Sequence, residues 1–499
     1  MAERNIGITL LGCGVVGSGV ARILSEQRDL IARRTGLVFD IRHVVVRDPA
    51  KARNCGKLPL TIDGNAAIDD PRVHIVVELI GGIGSAGEWM QRALSQGKPV
   101  VTANKSLLAA KGRELFALAK KHNTAISFEA SCGGGIPIIQ ALSHGLIANE
   151  ISALVGIVNG TCNVILTRMT HNGWTYQEAL NEAQKLGYAE ADPTMDVSGR
   201  DTAQKLAILA SLAFNAHINE SDIHIEGIDT LDPQDIRFAR ELGYVIKLLA
   251  IAERGEGSDF GELSRAGFRV QGSGNAMEGS GVRVQTSASS VEPGSVNANA
   301  SSSLNPQPST LNPSSTNPIS LRVHPTLVHQ HDVLADVSGS FNAISVYGHA
   351  LGHCLFYGRG AGQMPTASAV VSDLIQTALG TAALAFKQLQ IFPDATAPAT
   401  ILPFEQLQSR YYLRVLAKDQ PGVMAQVAAV LGKYEVSISA ILQHESAENN
   451  HVPIVITTHR AKEGALQRAI AEINSLPVIQ PPAACLRIID QPKESAAIR

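Results

Sequence analysis

The stretch Leu186–Ala210, LGYAEADPTMDVSGRDTAQKLAILA, gathers Glu190, Asp192, Asp196, Asp201 and Lys205 into a short run. A lysine held by a carboxylate near a cleft can be a surface ion pair or a polar catalytic group. Asp201 and Lys205 stand four apart, so on a helix their side chains meet. Ala203, Leu206, Ala207 and Ala210 recur at helical spacing and mark that helix's packed face. Ser198 or Gly199 can cap it, and Asp201 falls in the first turn, where a carboxylate suits the dipole. On spacing alone the pair reads as solvated decoration worth about a few tenths of a kcal/mol. The preceding loop changes that reading. Gly187–Gly199 carries Glu190, Asp192 and Asp196 between two glycines with almost nothing apolar to bury. Such a loop is either floppy or organised around a polar ligand.

The elements that must position these groups begin at the N-terminus. IGITLLGCGVVGSGVARIL reads as strand, tight turn and helix, with Gly12, Gly14 and Gly17 in a GxGxxG pattern. Bare glycines there let backbone N–H groups approach a pyrophosphate at the positive helix end; a turn chosen for packing is the competing reading. A second strand, Phe39–Val46, ends in Arg47-Asp48. An acid at that place binds a ribose hydroxyl and an Arg accommodates a 2′-phosphate. Arg47 comes first, which favours NADP over NAD. Lys51 and Arg53 either help or are merely solvated.

Further strands are expected at Val73–Leu79, Lys98–Thr102 and Ala125–Ala130, alternating with helices. This is a doubly wound parallel sheet, and ligands collect at the carboxyl ends of its strands. Lys105 lies at such an end; the alternative is a helix-start lysine facing water. The last strand leaves through Ser131–Pro137, with three successive glycines. With Glu129 adjacent, this is a cation loop of carbonyl and carboxylate oxygens, or a flexible hinge.

The middle of the chain reads as an α+β domain. Expected are a strand at Ile151–Val158, helices at Thr161–His171, Thr175–Leu186 and Glu241–Ala252, and strands at Leu321–Leu327 and Ala343–Tyr347. Gly358–Gly362 is a second glycine-rich loop before a helix at Thr366–Leu379. Glu253–Ile319 breaks the pattern. It is rich in Ser, Asn, Gly and Pro, and no Phe, Tyr or Trp stands between Phe268 and Phe341. It cannot bury enough apolar surface to offset its ordering entropy, so it is either a disordered insertion or mistaken coding sequence. After a linker over 386–410, residues 411–490 run strand, helix, strand, strand, helix, strand, the βαββαβ order of a ferredoxin-like module.

The totals exclude several classes. With 499 residues the chain should hold about two to four domains. A net charge of −3 argues against nucleic acid or an anionic membrane as main partner. No apolar run reaches the length of a membrane span, and the first strand begins too early to leave room for a signal peptide. Six scattered cysteines with no CxxC pair fit reduced thiols in the cytoplasm.

The motifs GCGVVG, VVTANKSLLA, FEASCGGGIPI, VNGTCN, GYAEADPTMDVSGRDTAQKLAILA and GRGAGQMPTASAVVSD together resemble homoserine dehydrogenases, in the long bacterial form with a C-terminal ACT domain. The likeness implies three parts. Residues 1–132 would be a Rossmann-type α/β dinucleotide-binding domain, 133–385 an α+β catalytic and dimerisation domain, and 411–490 an ACT regulatory domain. It implies NAD(P)-dependent interconversion of L-homoserine and L-aspartate 4-semialdehyde, a step towards threonine, methionine and isoleucine, in at least a homodimer. The family's acid/base lysine falls on Lys205, supported by Asp201, and its second lysine on Lys105. Its substrate carboxylates fall on Glu190, Asp196 and Asp201. Cofactor contacts are implied at Gly12, Gly14, Val15, Val16, Gly17, Arg47, Thr102, Lys105, Gly187 and Gly360. A sodium or potassium site is implied at Glu129, Cys132, Gly134 and Ile136, chiefly through carbonyls, so that Cys132 in place of the usual Val matters little. The DQPGV turn resembles those of ACT modules, which bind amino acids between paired copies, and makes threonine an expected effector. The rival class, an amino-acid sensor on a degenerate dehydrogenase body, predicts loss of Lys105, Asp201 or Lys205. All three are present.

Overall fold

Strands β1 (Arg4–Leu11), β2 (Leu37–Val45), β3 (Leu60–Thr61), β4 (Ile75–Glu78), β5 (Val100–Thr102) and β6 (Ile126–Ser127) form one sheet in a computed structural model that describes residues 3–50, 58–255, 317–444 and 451–490. Their order is β3-β2-β1-β4-β5-β6, all parallel. The order reverses between β1 and β4, so the crevice outside their carboxyl ends is the ligand position this topology provides. Alternation along each strand feeds two cores: Ile75 and Val77 point to one face and Val76 to the other. With both faces covered, the strands read as nearly continuous apolar runs.

One cover comes from far along the chain. Helix Gln363–Leu379 returns to the first sheet, where Ala367, Val370 and Leu374 join Ile8, Leu10 and Val20. It lies so close to the first helix, Val15–Glu26, that a Cβ on Gly19 would stand 2.9 Å from that of Ala367.

The second sheet is mixed. It contains β7 (Ile151–Ile157), β9 (Tyr244–Arg254), β10 (Ile319–His329), β11 (Phe341–Gly348) and β12 (Gly352–Arg359), with short β8 (His224–Ile225) beside β10. The tail adds β13 (Gln408–Lys418), β14 (Ile438–Gln443), β15 (His451–Thr458) and β17 (Ile479–Ile488), with helices Val423–Lys433 and Glu463–Asn474 in the expected βαββαβ order; a two-residue β16 (Ala461–Lys462) pairs with β13. The tail sheet is not separate. β17 pairs in parallel with β10, Thr326 opposite Arg487, so the tail continues the central sheet.

Neighbouring tyrosines on β13 show how the tail is held. Tyr411 points into its own core, its hydroxyl donating to Glu463 Oε2 at 3.0 Å. Tyr412 points the other way and donates to Asp235 Oδ1 at 2.8 Å, on helix Pro233–Glu241. Arg414 binds both Asp235 and Asp232.

Four expectations change. The helix expected at Glu241–Ala252 is strand β9: Gly243 (φ +82) stops the helix ending at Glu241, and the run that follows is buried on both faces, paired to β7 and β10. Uniform burial erases the period that separates strand from helix. The strand expected at Ala125–Ala130 is only Ile126–Ser127, followed by a 3-10 turn at Glu129–Ser131. β12 was not expected at all. Finally, most of the Ser/Asn/Pro-rich segment lies outside the described residues, as do Lys51 and Arg53. Its flanks do not. Glu253 and Arg254 complete β9, Ile319 opens β10, and Gly255 N donates to Pro318 O at 2.8 Å.

Candidate active site

Lys205 and Asp201 lie on helix Arg200–Phe214, which starts from Gly199 in the left-handed conformation (φ +83). Their predicted meeting is real, with Lys205 Nζ 2.7 Å from Asp201 Oδ2. It is not a solvated pair. The Asp201 side chain is 10% exposed and that of Lys205 13%. Lys105 arrives from the start of helix Lys105–Lys121, just past the carboxyl end of β5, and its Nζ lies 3.1 Å from Asp201 Oδ1. Each oxygen of one carboxylate thus faces one lysine. Burial acts to raise the Asp201 pKa, but Lys205 and Lys105 hold it well below the usual carboxylate range. Burial likewise acts to lower that of Lys205, and Asp201 outweighs it, so the amine stays protonated past its ordinary range. Lys205 Nζ also donates to Val158 O at 2.7 Å, at the end of β7.

Asn159 completes the cluster and was not singled out from sequence. Its Oδ1 accepts from Cys162 N at 2.8 Å, capping helix Gly160–Asn172. Its Nδ2 donates to Asp201 Oδ2 at 2.8 Å and to Asp196 Oδ1 at 2.7 Å. The available signal was VNGTCN: an N-cap Asn uses only its oxygen on the helix, and its amide N–H groups remain for another partner. The acidic loop is organised by this contact and by a short helix, Thr194–Val197. Asp192 serves locally, binding Thr194. Glu190 and Gly187 are exposed on the same loop; Gly187 has φ +74 and open space where a Cβ would stand.

The glycine turn divides its labour. Gly12 has φ +107, and a Cβ on Gly17 would stand 2.4 Å from Gly12 O. Gly14, capping the first helix, has nothing within 4 Å of a Cβ position, and Val15 is 68% exposed while Val16 packs on the core. That is bare backbone at a positive helix end, as a dinucleotide's phosphates require. Arg47 is exposed two residues past β2. Thr102 is fully buried; its hydroxyl donates to Glu78 Oε2 at 2.6 Å and accepts from Asn104 N at 3.0 Å. Glu78, a lone acid ending an apolar strand, also accepts from Ile80 and Gly81 N–H groups at the switch point.

The two later glycine loops pack on each other. Gly135 N donates to Arg359 O at 3.0 Å, a Cβ on Gly134 (φ +58) would meet Gly360 O at 2.4 Å, and one on Gly360 would overlap Asn342. The Glu129 carboxylate accepts N–H groups from Ile139 and Gln140 at 2.9 and 2.8 Å. Burial pushes its pKa up to about 7 against those bonds. Cys132 is buried with its thiol 3.9 Å from Lys205 O, placing this loop against the lysine helix. Among the described residues no three His, Cys, Asp or Glu side chains cluster to hold a metal ion.

Residues 12–129 match the family described as homoserine dehydrogenase, NAD binding domain, residues 137–375 the homoserine dehydrogenase family, and residues 411–478 the ACT domain. The homoserine dehydrogenase of Neisseria gonorrhoeae is 39% identical over 489 residues, covering 97% of this chain and 99% of its own. The chain belongs to the homoserine dehydrogenase family. That of Pseudomonas aeruginosa is 38% identical over 494 residues, with 97% and 99% covered. The crystal structure of a homoserine dehydrogenase from Thiobacillus denitrificans superposes with a TM-score of 0.82 at 38% identity, over 98% of this chain and 99% of that one. By family and relatives the chain is an NAD(P)-dependent oxidoreductase with a C-terminal ACT domain.

Proposed function

We propose that the chain interconverts L-homoserine and L-aspartate 4-semialdehyde through Lys205, Lys105 and Asp201. The observation that carries this assignment is the sharing of Asp201 by the two lysines, beside the carboxyl ends of the first sheet. The Gly12–Gly17 turn would hold the phosphates of a dinucleotide, whose nicotinamide would supply or accept the hydride. In the reducing direction protonated Lys205 donates a proton to the substrate oxygen, and Lys105 offsets the negative charge developing there. In the oxidising direction Lys205 takes the hydroxyl proton back. Asp201 keeps both amines in place. Asp196, Glu190 and Asp201 bind the substrate, the carboxylates holding its ammonium group.

The finer assignments follow the same reading. NADP is the preferred cofactor, through Arg47, with Gly187 and Gly360 as further contacts and Thr102 acting through its backbone, since its hydroxyl is engaged. The carbonyls of Glu129, Cys132, Gly134 and Ile136 hold sodium or potassium; the Glu129 carboxylate is already taken by two N–H groups, which suits a carbonyl-based site. The sheet's edge strand β12 exposes Leu355 and Tyr357, supporting assembly into at least a dimer. Threonine binding at the ACT module regulates the enzyme, which works in the cytoplasm on the route to threonine and methionine.

The test is NADP reduction by L-homoserine at alkaline pH, with NAD in parallel, for wild type and Lys205→Ala. Turnover lost in the folded variant supports substrate and site together. Equal turnover in both removes Lys205 from the chemistry. A saturating threonine titration without change in rate or detectable binding removes the regulatory assignment.

A further inference from the structure

One charged contact between tail and body leads to the carboxylate turn. Arg487, on β17, is 3% exposed and uses Nε and Nη2 on Glu463, at 2.9 and 2.7 Å. Its Nη1 donates to Glu226 Oε2 at 2.8 Å, and the other oxygen of Glu226 lies 2.8 Å from His224 Nε2. Glu226 follows β8. Since β9 occupies one edge of β10 along its whole length, β8 and β17 share the other, at Arg322–Val323 and Thr326–Leu327.

The residues next to Glu226 press on the active-site turn. Ile228 N donates to Val197 O at 2.8 Å. A Cβ on Gly227 would stand 2.4 Å from Val197 O and 2.9 Å from Ser198 Cα. A Cβ on Gly199 would stand 3.1 Å from Ile225 Cγ2 and 3.2 Å from Val323 Cγ1. Segment 225–228 and turn 197–199 are therefore in direct backbone contact, and Asp196 and Asp201 flank that turn. Close-packed elements of this kind transmit a displacement and do not absorb it.

We propose that Glu226 is a positioning residue for substrate: its ion pair with Arg487 holds segment 225–228 against the 197–199 turn and thereby sets Asp196 and Asp201. The tail sheet is then part of what shapes the active site, and an effector that moves β17 has a route to the substrate carboxylates. This rests on the reading that Asp196 and Asp201 serve substrate. Asp196→Asn is run alongside to test that reading by itself; an unchanged homoserine KM there refutes it independently of Glu226.

The experiment uses the full chain and three variants: Glu226→Gln, which keeps the size of the side chain, Gly227→Ala, and Arg414→Gln. The last breaks another of the tail's charged contacts, to Asp232 and Asp235 at the start of helix Pro233–Glu241. Homoserine KM, NADP KM, kcat and thermal unfolding are measured for each. Glu226→Gln should raise the homoserine KM by about three- to tenfold with the NADP KM within about twofold. Gly227→Ala should do the same or more, and Arg414→Gln should lower the unfolding temperature without moving the homoserine KM. An unchanged homoserine KM in folded Glu226→Gln overturns the proposal. So does an Arg414→Gln variant that shifts it equally, because the effect would then be general loosening of the tail.

Discussion

Lys105 meets Asp201 at 3.1 Å, joining the nucleotide-binding sheet to the lysine helix through one ion pair. The contact places a charged group from the carboxyl end of β5 beside the Asp201–Lys205 pair. A largely buried carboxylate with two cationic partners fixes both amines more firmly than a surface pair can.

Lys205→Ala should therefore lower kcat by about a hundred- to ten-thousandfold while the chain stays folded. Lys105→Ala should lose activity too, with a larger rise in homoserine KM if its charge also helps to seat substrate. Steady-state kinetics on both variants, with circular dichroism to confirm folding, separates the two roles.

The pH profile tests the electrostatic argument. Asp201 holds Lys205 protonated above its ordinary range. Homoserine oxidation needs the amine free, so its rate should climb with pH well into the alkaline range. Asp201→Asn removes the charge that raises the lysine while burial still lowers it. The alkaline limb should move to lower pH by about one to two units, at reduced maximal rate. A limb that stays in place would exclude Lys205 as the titrating group.

The glycine turn offers a contrast between neighbours. Gly14→Ala puts a methyl into open space, so the unfolding temperature should hold while the cofactor KM rises steeply. Gly17→Ala drives a methyl to 2.4 Å from Gly12 O and should lower stability as well. Thermal melts with cofactor titrations distinguish them.

Arg47→Glu should raise the NADP KM by about tenfold and leave that for NAD unchanged or lower. Loss of one charge-assisted contact costs about 1.5 kcal/mol or more. Equal effects on both cofactors would remove Arg47 from the 2′-phosphate.

The cation assignment makes a signed prediction. Glu129 titrates near 7 folded against 4.5 in its ordinary state, through burial. Between those values the folded chain keeps a proton that the unfolded chain has lost, so stability falls as pH rises. Asp373, whose Oδ2 accepts from Glu129 N at 2.8 Å, is raised by burial and by Glu129, so the two titrate together. In a bulky organic cation buffer the unfolding temperature should fall from pH 5 to 8. Sodium or potassium should restore it at pH 8 and do little at pH 5. No cation dependence at pH 8 would count against the site.

The parallel first sheet, the βαββαβ tail and the Asp201–Lys205 helix were legible in the order of residues, because each depends on local period, local turn chemistry or a four-residue spacing. The identity of β9 was not, since a strand buried on both faces carries no period of its own. Nor was the company Asp201 keeps. Lys105 and Asn159 reach it from other elements, Asp196 joins it through Asn159, and Gly134 meets Gly360 across two loops. Those meetings depend on how helices and loops of the two parts pack together, which spacing along the chain does not encode. The sequence by itself determined most of the elements and which residues carry charge. The tertiary structure decided that these charges are buried together, and burial turns an ordinary ion pair into a chemically useful one because it removes the water that would otherwise screen it.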